Sequence, residues 1–327
     1  VGKPTGGLGK TINSTKDLIM SVQITAAMVE QYSANVEHLA QQMESRFAGK
    51  VREESQKGKT KFWEQLGATK AVKRTSRHAD TPRVDSLHRR RACYLQDYDW
   101  SDLVDSLDEV KLLIDPKSSY AQSAAMAMNR AQDEEVITAA TGTAYADTDG
   151  SGAVTSVVLP STSKVAVDYV LTGSAANSGL TLAKLIKAKS NLTKSEMPKG
   201  TRLFIAVTQQ QIDDLLNNVT QVSSSDYAAV KALVNADVDY FAGLSFVRLG
   251  SDSANSAALS LNTSTDVRTC FAYAQIGLLK SVGQESKGDI SIRNDKNNAV
   301  QVYYNQCIGA TRMQESYVQE ILCDESP

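Results

Sequence analysis

The chain has 327 residues, 42% apolar and 22% charged, with a net charge of −2, which suits one large or two modest folded domains. That balance excludes a strong overall pull toward nucleic acid or anionic lipid, so any electrostatic partner must be sought in how the charge is distributed. No apolar run approaches the ~18 residues of a membrane span, so no membrane partner is expected.

Residues 1–19 are rich in Gly, Lys and Thr and show no apolar period. They read either as a leader or flexible extension ahead of Met20, or as a native arm. From 24 to 43, apolar side chains recur at Ile24, Met28, Tyr32, Val36, Leu39 and Met43. Gaps of three and four predict one stripe of an amphipathic helix. Such a helix packs on its own domain or lies across a neighbouring copy.

Residues 50–91 carry 13 Lys/Arg against 5 Asp/Glu, a local net of +8. Few core formers occur there beyond Phe62, Trp63, Leu66 and Val72. This predicts an extended arm or β-hairpin with no core of its own. Residues 92–150 swing the other way, with 12 Asp/Glu against 3 Lys/Arg, a local net of −9. Asp115 is a good N-cap and Pro116 suits a first helical position, so a long helix is predicted over 116–141, stopped by Gly142. At ~1.5 Å per residue it would be about 39 Å long. Its many alanines would let another element come close.

A Gly/Ser/Thr/Asp loop follows over 145–163, enclosing Val157, Val158 and Leu159. Helices and strands then alternate. Helices are predicted at 180–192, at 208–218 with Thr208 as cap, and at 227–234; strands at 202–207 and 244–249. A polar loop covers 251–265. The chain ends in strands, at 270–279, in a hairpin of 289–293 with 300–305 around 294–298, and at 309–323.

Few motifs carry chemistry. Gly7-Leu8-Gly9-Lys10-Thr11 has the tail of a phosphate loop, but its first Gly falls at Pro4 and no strand precedes it. Asp147, Asp149 and Ser151 open like a calcium loop, yet Val158 stands where a bidentate Glu is needed. Cys93, Cys270, Cys307 and Cys323 show no metal-ligand spacing with each other or with His38, His78 and His88, and read as free buried thiols in a reducing compartment. No catalytic, cofactor or metal residue is predicted. The feature left is charge. Arg89, Arg90 and Arg91 cap the basic segment, and Asp102, Asp105 and Asp108 lie in the acidic one. Such an arm can pair with the acidic surface of the next copy, anchored by Phe62, Trp63 and Leu66, and repetition closes a ring.

A resemblance supports this. The runs 83–91 (Arg-Val-Asp-Ser-Leu-His-Arg-Arg-Arg), Asp97-Tyr98-Asp99-Trp100, Val104-Asp105, Asp115-Pro116-Lys117-Ser118-Ser119-Tyr120, Ala131 with Asp133, and Ile137 to Ala144 resemble major capsid proteins of tailed bacteriophages with the Hong Kong 97 fold. The tail, with Arg312, Glu315, Val318 and Glu320, is similar to how those coat proteins end. The resemblance implies an α+β fold with N-terminal arm, extended loop, peripheral domain with a long spine helix, and axial domain. It implies boundaries at 1–19 (extension), 20–49 (arm), 50–91 (extended loop), 92–164 (peripheral domain, spine helix 116–141), 165–279 (axial domain) and 280–327 (peripheral strands and C-terminus).

It further implies a homo-oligomer of hexamers and pentamers in an icosahedral shell around double-stranded DNA, made in the host cytoplasm. Scaffolding and portal proteins would be partners, with a decoration protein as a further one. Some members cross-link a loop Lys to an Asn of another subunit. Nothing marks such a pair at Lys57, Lys59 or Lys61, so non-covalent assembly is expected. An encapsulin-like compartment shell shares the fold and stays open as an alternative, as does, more remotely, a soluble α/β enzyme.

Overall fold

A computed structural model of the chain describes residues 39–78, 80–104, 117–147, 151–171, 173–219, 239–251 and 255–326. Strands β1 (Arg52–Ser55), β2 (Thr60–Leu66), β3 (His88–Tyr94) and β4 (Gln96–Val104) come first. Helix α1 (Lys117–Thr141) follows, then β5 (Ala144–Asp147), β6 (Thr155–Val157) and β7 (Lys164–Val165). Next come α2 (Leu182–Thr193), β8 (Leu203–Val207), α3 (Gln209–Val219), β9 (Tyr240–Phe241), β10 (Leu244–Arg248) and β11 (Leu261–Asn262). The chain closes with β12 (Val267–Ala274), β13 (Leu278–Arg293), β14 (Ala299–Arg312) and β15 (Val318–Asp324).

Three sheets result. β1-β13-β14-β4 form the first, and α1 packs on it. β7-β15-β12-β8-β10-β9 form the second, with β11 beside β12. β2-β3-β5-β6 form the third. The alanines of α1 act as expected, since Ala124 and Ala140 are fully buried. The helix ends at Gly142, whose N–H donates to Thr138 O at 2.9 Å; a Cβ there would lie 2.5 Å from that oxygen, so a side chain does not fit. The helix start at Asp115 and Pro116 lies outside the described residues, as do the helix predicted at 227–234 and residues 24–38 of the first one.

Leu39–Met43, the end of that first predicted helix, is not helical. It belongs instead to a strap laid on α1. Asp133 of α1 accepts from Gln42 Nε2 (2.5 Å), Ser45 Oγ (2.5 Å) and Arg46 N (2.6 Å). Gln42 also reaches the loop before β11, donating its N–H to Asn255 O and accepting from Ala257 N. A buried carboxylate has to be satisfied this way, and here its acceptors define where the strap lies. The strap's Phe47 then enters the main core, stacked on Phe271 with ring centroids 6.1 Å apart.

The main core joins the C-terminal half of α1 to the second sheet. β8 is buried on both faces, in one core with Leu185, Ala188 and Leu192 of α2, which is why it reads as a continuous apolar run. Thr208, just ahead of α3, donates to Gln211 of its first turn. Gln211 Oε1 accepts from Thr208 N at 3.0 Å, the back half of a capping box. The hairpin predicted around 294–298 is the end of the long β13–β14 pair, with Asn297 and Asn298 at positive φ.

The sheets cut across the boundaries implied by the resemblance. β1 pairs with β13, so residues 52–55 join the first sheet and leave the arm. β5 pairs onto the arm strand β3, and β6 onto β5. The final strand β15 hydrogen-bonds to β12 and β7, so 318–324 lies with the 165–279 region, apart from β13 and β14. Boundaries drawn on chain order miss such long-range pairing, because pairing is decided by register and burial.

Candidate interaction surface

The basic segment folds as the hairpin β2–β3, with Phe62 opposite Ala92, Trp63 opposite Arg91, Glu64 opposite Arg90 and Leu66 opposite His88. Alternation sends these residues to two faces. One face carries Phe62, Glu64, Leu66 and Arg90 and points outward. Phe62 is 45% and Leu66 66% exposed, and Arg90 Nε meets Glu64 Oε1 at 2.7 Å. The other carries Lys61, Trp63, Arg89, Arg91 and Cys93. Trp63 is buried with Cys93, Leu279 and Met313, and its Nε1–H donates to Glu54 at 2.8 Å. Burial pushes the Cys93 thiol up to about 12, with Glu135 adding to the shift. Arg91 is 3% exposed and ion-paired with Glu315 at 2.8 Å. Arg89 lies on the same face but past its buried end, and is exposed.

The expected anchor set therefore divides. Phe62, Leu66, Arg89 and Arg90 are available to a partner, while Trp63 and Arg91 are turned into their own chain. Between the two strands, residues 67–87 have no helix or strand among those described, and nearly every described side chain there is exposed. Val72, Val84 and Leu87 stand out from this tip beside Lys70, Lys73, Arg74, Arg77 and Arg83.

The acidic side divides as well. β4 alternates, so Asp97 and Asp99 point away from α1 while Tyr98, Trp100, Asp102 and Val104 share the face toward it. Tyr98 donates to Glu135 of α1 at 2.9 Å. Asp99 accepts from Tyr303 at 2.5 Å, which raises that phenol. Asp97, together with burial, pushes the Cys307 thiol up to about 11, burial being the larger cause. Asp102 is half-buried and accepts from Leu103 N. Asp105 and Asp108 lie outside the described residues. Among the described residues no ion pair joins the arm to β4.

Sequence reading assigned no role to the junction at the arm's base. Arg312 is fully buried at the end of β14. Its Nη1 donates to Ala140 O (3.0 Å) and Gly142 O (2.9 Å) at the end of α1, and Nη2 to Val157 O (3.2 Å) of β6. Carbonyls at a helix C-terminus lack intrahelical donors, and a guanidinium there satisfies both hydrogen bonding and dipole. Glu315, in the turn before β15, lies 2.8 Å from Arg91 and 3.8 Å from Arg312. The only signal in the sequence is a pair of charges three apart in an otherwise β-branched stretch. Among the described residues no cluster of His, Cys, Asp and Glu could hold a metal ion.

Residues 24–325 match the family model described as phage capsid protein. Among curated proteins no sequence matches this one. Solved structures do. The capsid of cyanophage P-SCSP1u is similar with TM-score 0.67 at 13% identity, over 93% of this chain and 95% of that one. The head of Helicobacter pylori bacteriophage KHP40 gives 0.66 at 10%, over 94% and 99%. The capsid of Ralstonia phage GP4 gives 0.65 at 9%, over 98% and 100%. At such identities the likeness speaks for the fold.

Proposed function

The chain belongs to the phage capsid protein family and is a shell-forming structural protein, and from that premise we propose how its copies hold together. The basic arm of one copy lies on the acidic surface of the next, around a ring that closes as hexamers and pentamers. Those capsomers build an icosahedral virion shell around packaged double-stranded DNA, assembled in the host cytoplasm with scaffolding and portal proteins and, as a further partner, a decoration protein.

The observation that carries this reading is the arm's tip. It exposes apolar and basic side chains over 67–87, and among the described residues no layer of its own chain covers them. Asp97 and Asp99 offer a matching charge on the outer face of β4. Exposed ion pairs contribute only ~0–1 kcal/mol each, so repetition around the ring and apolar anchors supply most of the strength.

The test is R89E/R90E, with Arg91 retained because it pairs inside the chain. Folded protein by circular dichroism with no closed particles in negative-stain microscopy is the expected result. Normal particles from this variant would refute charge pairing as the basis of assembly.

A further inference from the structure

Two buried guanidiniums and one carboxylate meet where the three sheets join. Arg91 comes from the arm strand β3, Arg312 from the end of β14 beside the end of α1, and Glu315 from the turn leading to the second sheet. Arg91 is 3% and Arg312 0% exposed. Neither ion pairs with another carboxylate among the described residues. A buried cation without compensation is strongly destabilising, so both arginines draw on the Glu315 side chain, with Glu320 adding to the field on Arg312.

They do not depend on it equally. Arg312 would keep its bonds to Ala140, Gly142 and Val157 carbonyls whatever the state of Glu315. Arg91 has no such reserve: among the described residues its Nε and Nη1 make no hydrogen bond and its Nη2 goes to Glu315 alone. When the shared carboxylate is lost, the less expensive relief is for Arg91 to reach water. Arg91 sits mid-strand opposite Trp63, so it leaves only if the base of the hairpin lifts.

We propose that Glu315 is a positioning residue for the arm, one carboxylate that clamps the hairpin base onto a fixed Arg312 cap at the end of α1 and so sets the angle at which the arm projects. Its bearing on assembly rests on the function proposed above, but the clamp is a property of the single chain. The experiment is hydrogen exchange by mass spectrometry on the purified chain, with all variants compared in the same assembly state. They are native, E315Q, R91M/E315Q, and E64Q as a control on the exposed pair of the arm's outer face.

In E315Q, exchange in 60–66 and 88–94 should rise by about a hundredfold or more, the scale of a broken buried pair. The last turn of α1 should stay near native. R91M/E315Q removes the uncompensated cation and should return the hairpin toward native, while E64Q should leave it unchanged. If the end of α1 opens together with the hairpin, if E315Q matches native, or if R91M gives no rescue, the clamp is wrong. Should E315Q not accumulate folded, recovery of folded protein on adding R91M supports the clamp, and no recovery overturns it. None of these readouts involves particle formation, so failure here is distinct from failure of the assembly reading.

Discussion

Removing Arg312 should cost far more than removing Arg90, although each has a glutamate partner. Arg90 and Glu64 are both half-exposed, and such pairs contribute ~0–1 kcal/mol. Arg312 is buried and serves carbonyls at the end of α1 and in β6. R312M leaves those acceptors unpaired, and the expected loss is about 3–5 kcal/mol. Denaturant melts of the unassembled chain should separate R312M from R90M by that margin. Equal midpoints would mean the guanidinium cap contributes nothing. The same logic governs Asp133, whose oxygens accept from three donors of the strap. D133N turns one acceptor into a donor facing donors, and about 1–3 kcal/mol of stability should go with it. Burial holds that carboxyl above its ordinary range, so its hydrogen bonds do not fully offset its desolvation.

At the scale of elements, a glycine sets one close approach of two strands. β14 passes β3 so tightly that a Cβ on Gly309 would lie 2.2 Å from the Tyr94 carbonyl oxygen, which is backbone and cannot turn aside. Gly288 also lacks room, but its neighbour is the half-exposed Tyr304 ring, which can rotate. G309A should therefore yield little soluble protein, while G288A should melt within a few degrees of native by thermal shift. Elements of this kind were legible from sequence where the signal is local. The Ala-rich helix to Gly142, the helix that begins just after Thr208, and the hairpin turn within 294–298 all announce themselves within a few residues. What was not legible is which strand pairs with which. Nothing near Val318 says that β15 joins β12, and nothing near Arg91 says that it turns inward onto Glu315. The anchor set shows the limit most clearly. Composition marks Phe62, Trp63 and Leu66 alike, and only the sheet's pleat, fixed by the register of β2 on β3, separates exposed from buried.

For the whole molecule, that separation predicts two different failures. Phe62 and Leu66 leave much of their apolar surface uncovered, at 45% and 66% exposed, so F62S/L66S removes surface a partner would bury. The monomer should keep its stability to within about 0.5 kcal/mol, as surface changes usually do. The concentration needed for particles to form should rise sharply, because each copy presents the same patch and the loss repeats at every contact. Trp63 belongs to the buried cluster with Cys93, Leu279 and Met313, so W63A should cost about 3–5 kcal/mol in the monomer itself. Light scattering against protein concentration, with a parallel melt, distinguishes the two. If F62S/L66S assembles at the native threshold, the outer face of the arm is not the contact. The same particles should dissolve to monomers in boiling detergent. Lys61 is held by Glu54 and Ser55 and lies over the Trp63 ring at 4.7 Å, which keeps it on its own subunit. A ladder of covalent oligomers would instead require a lysine that leaves its own chain to reach a neighbour's asparagine, and the assembly would then owe its permanence to that bond more than to charge and apolar contact.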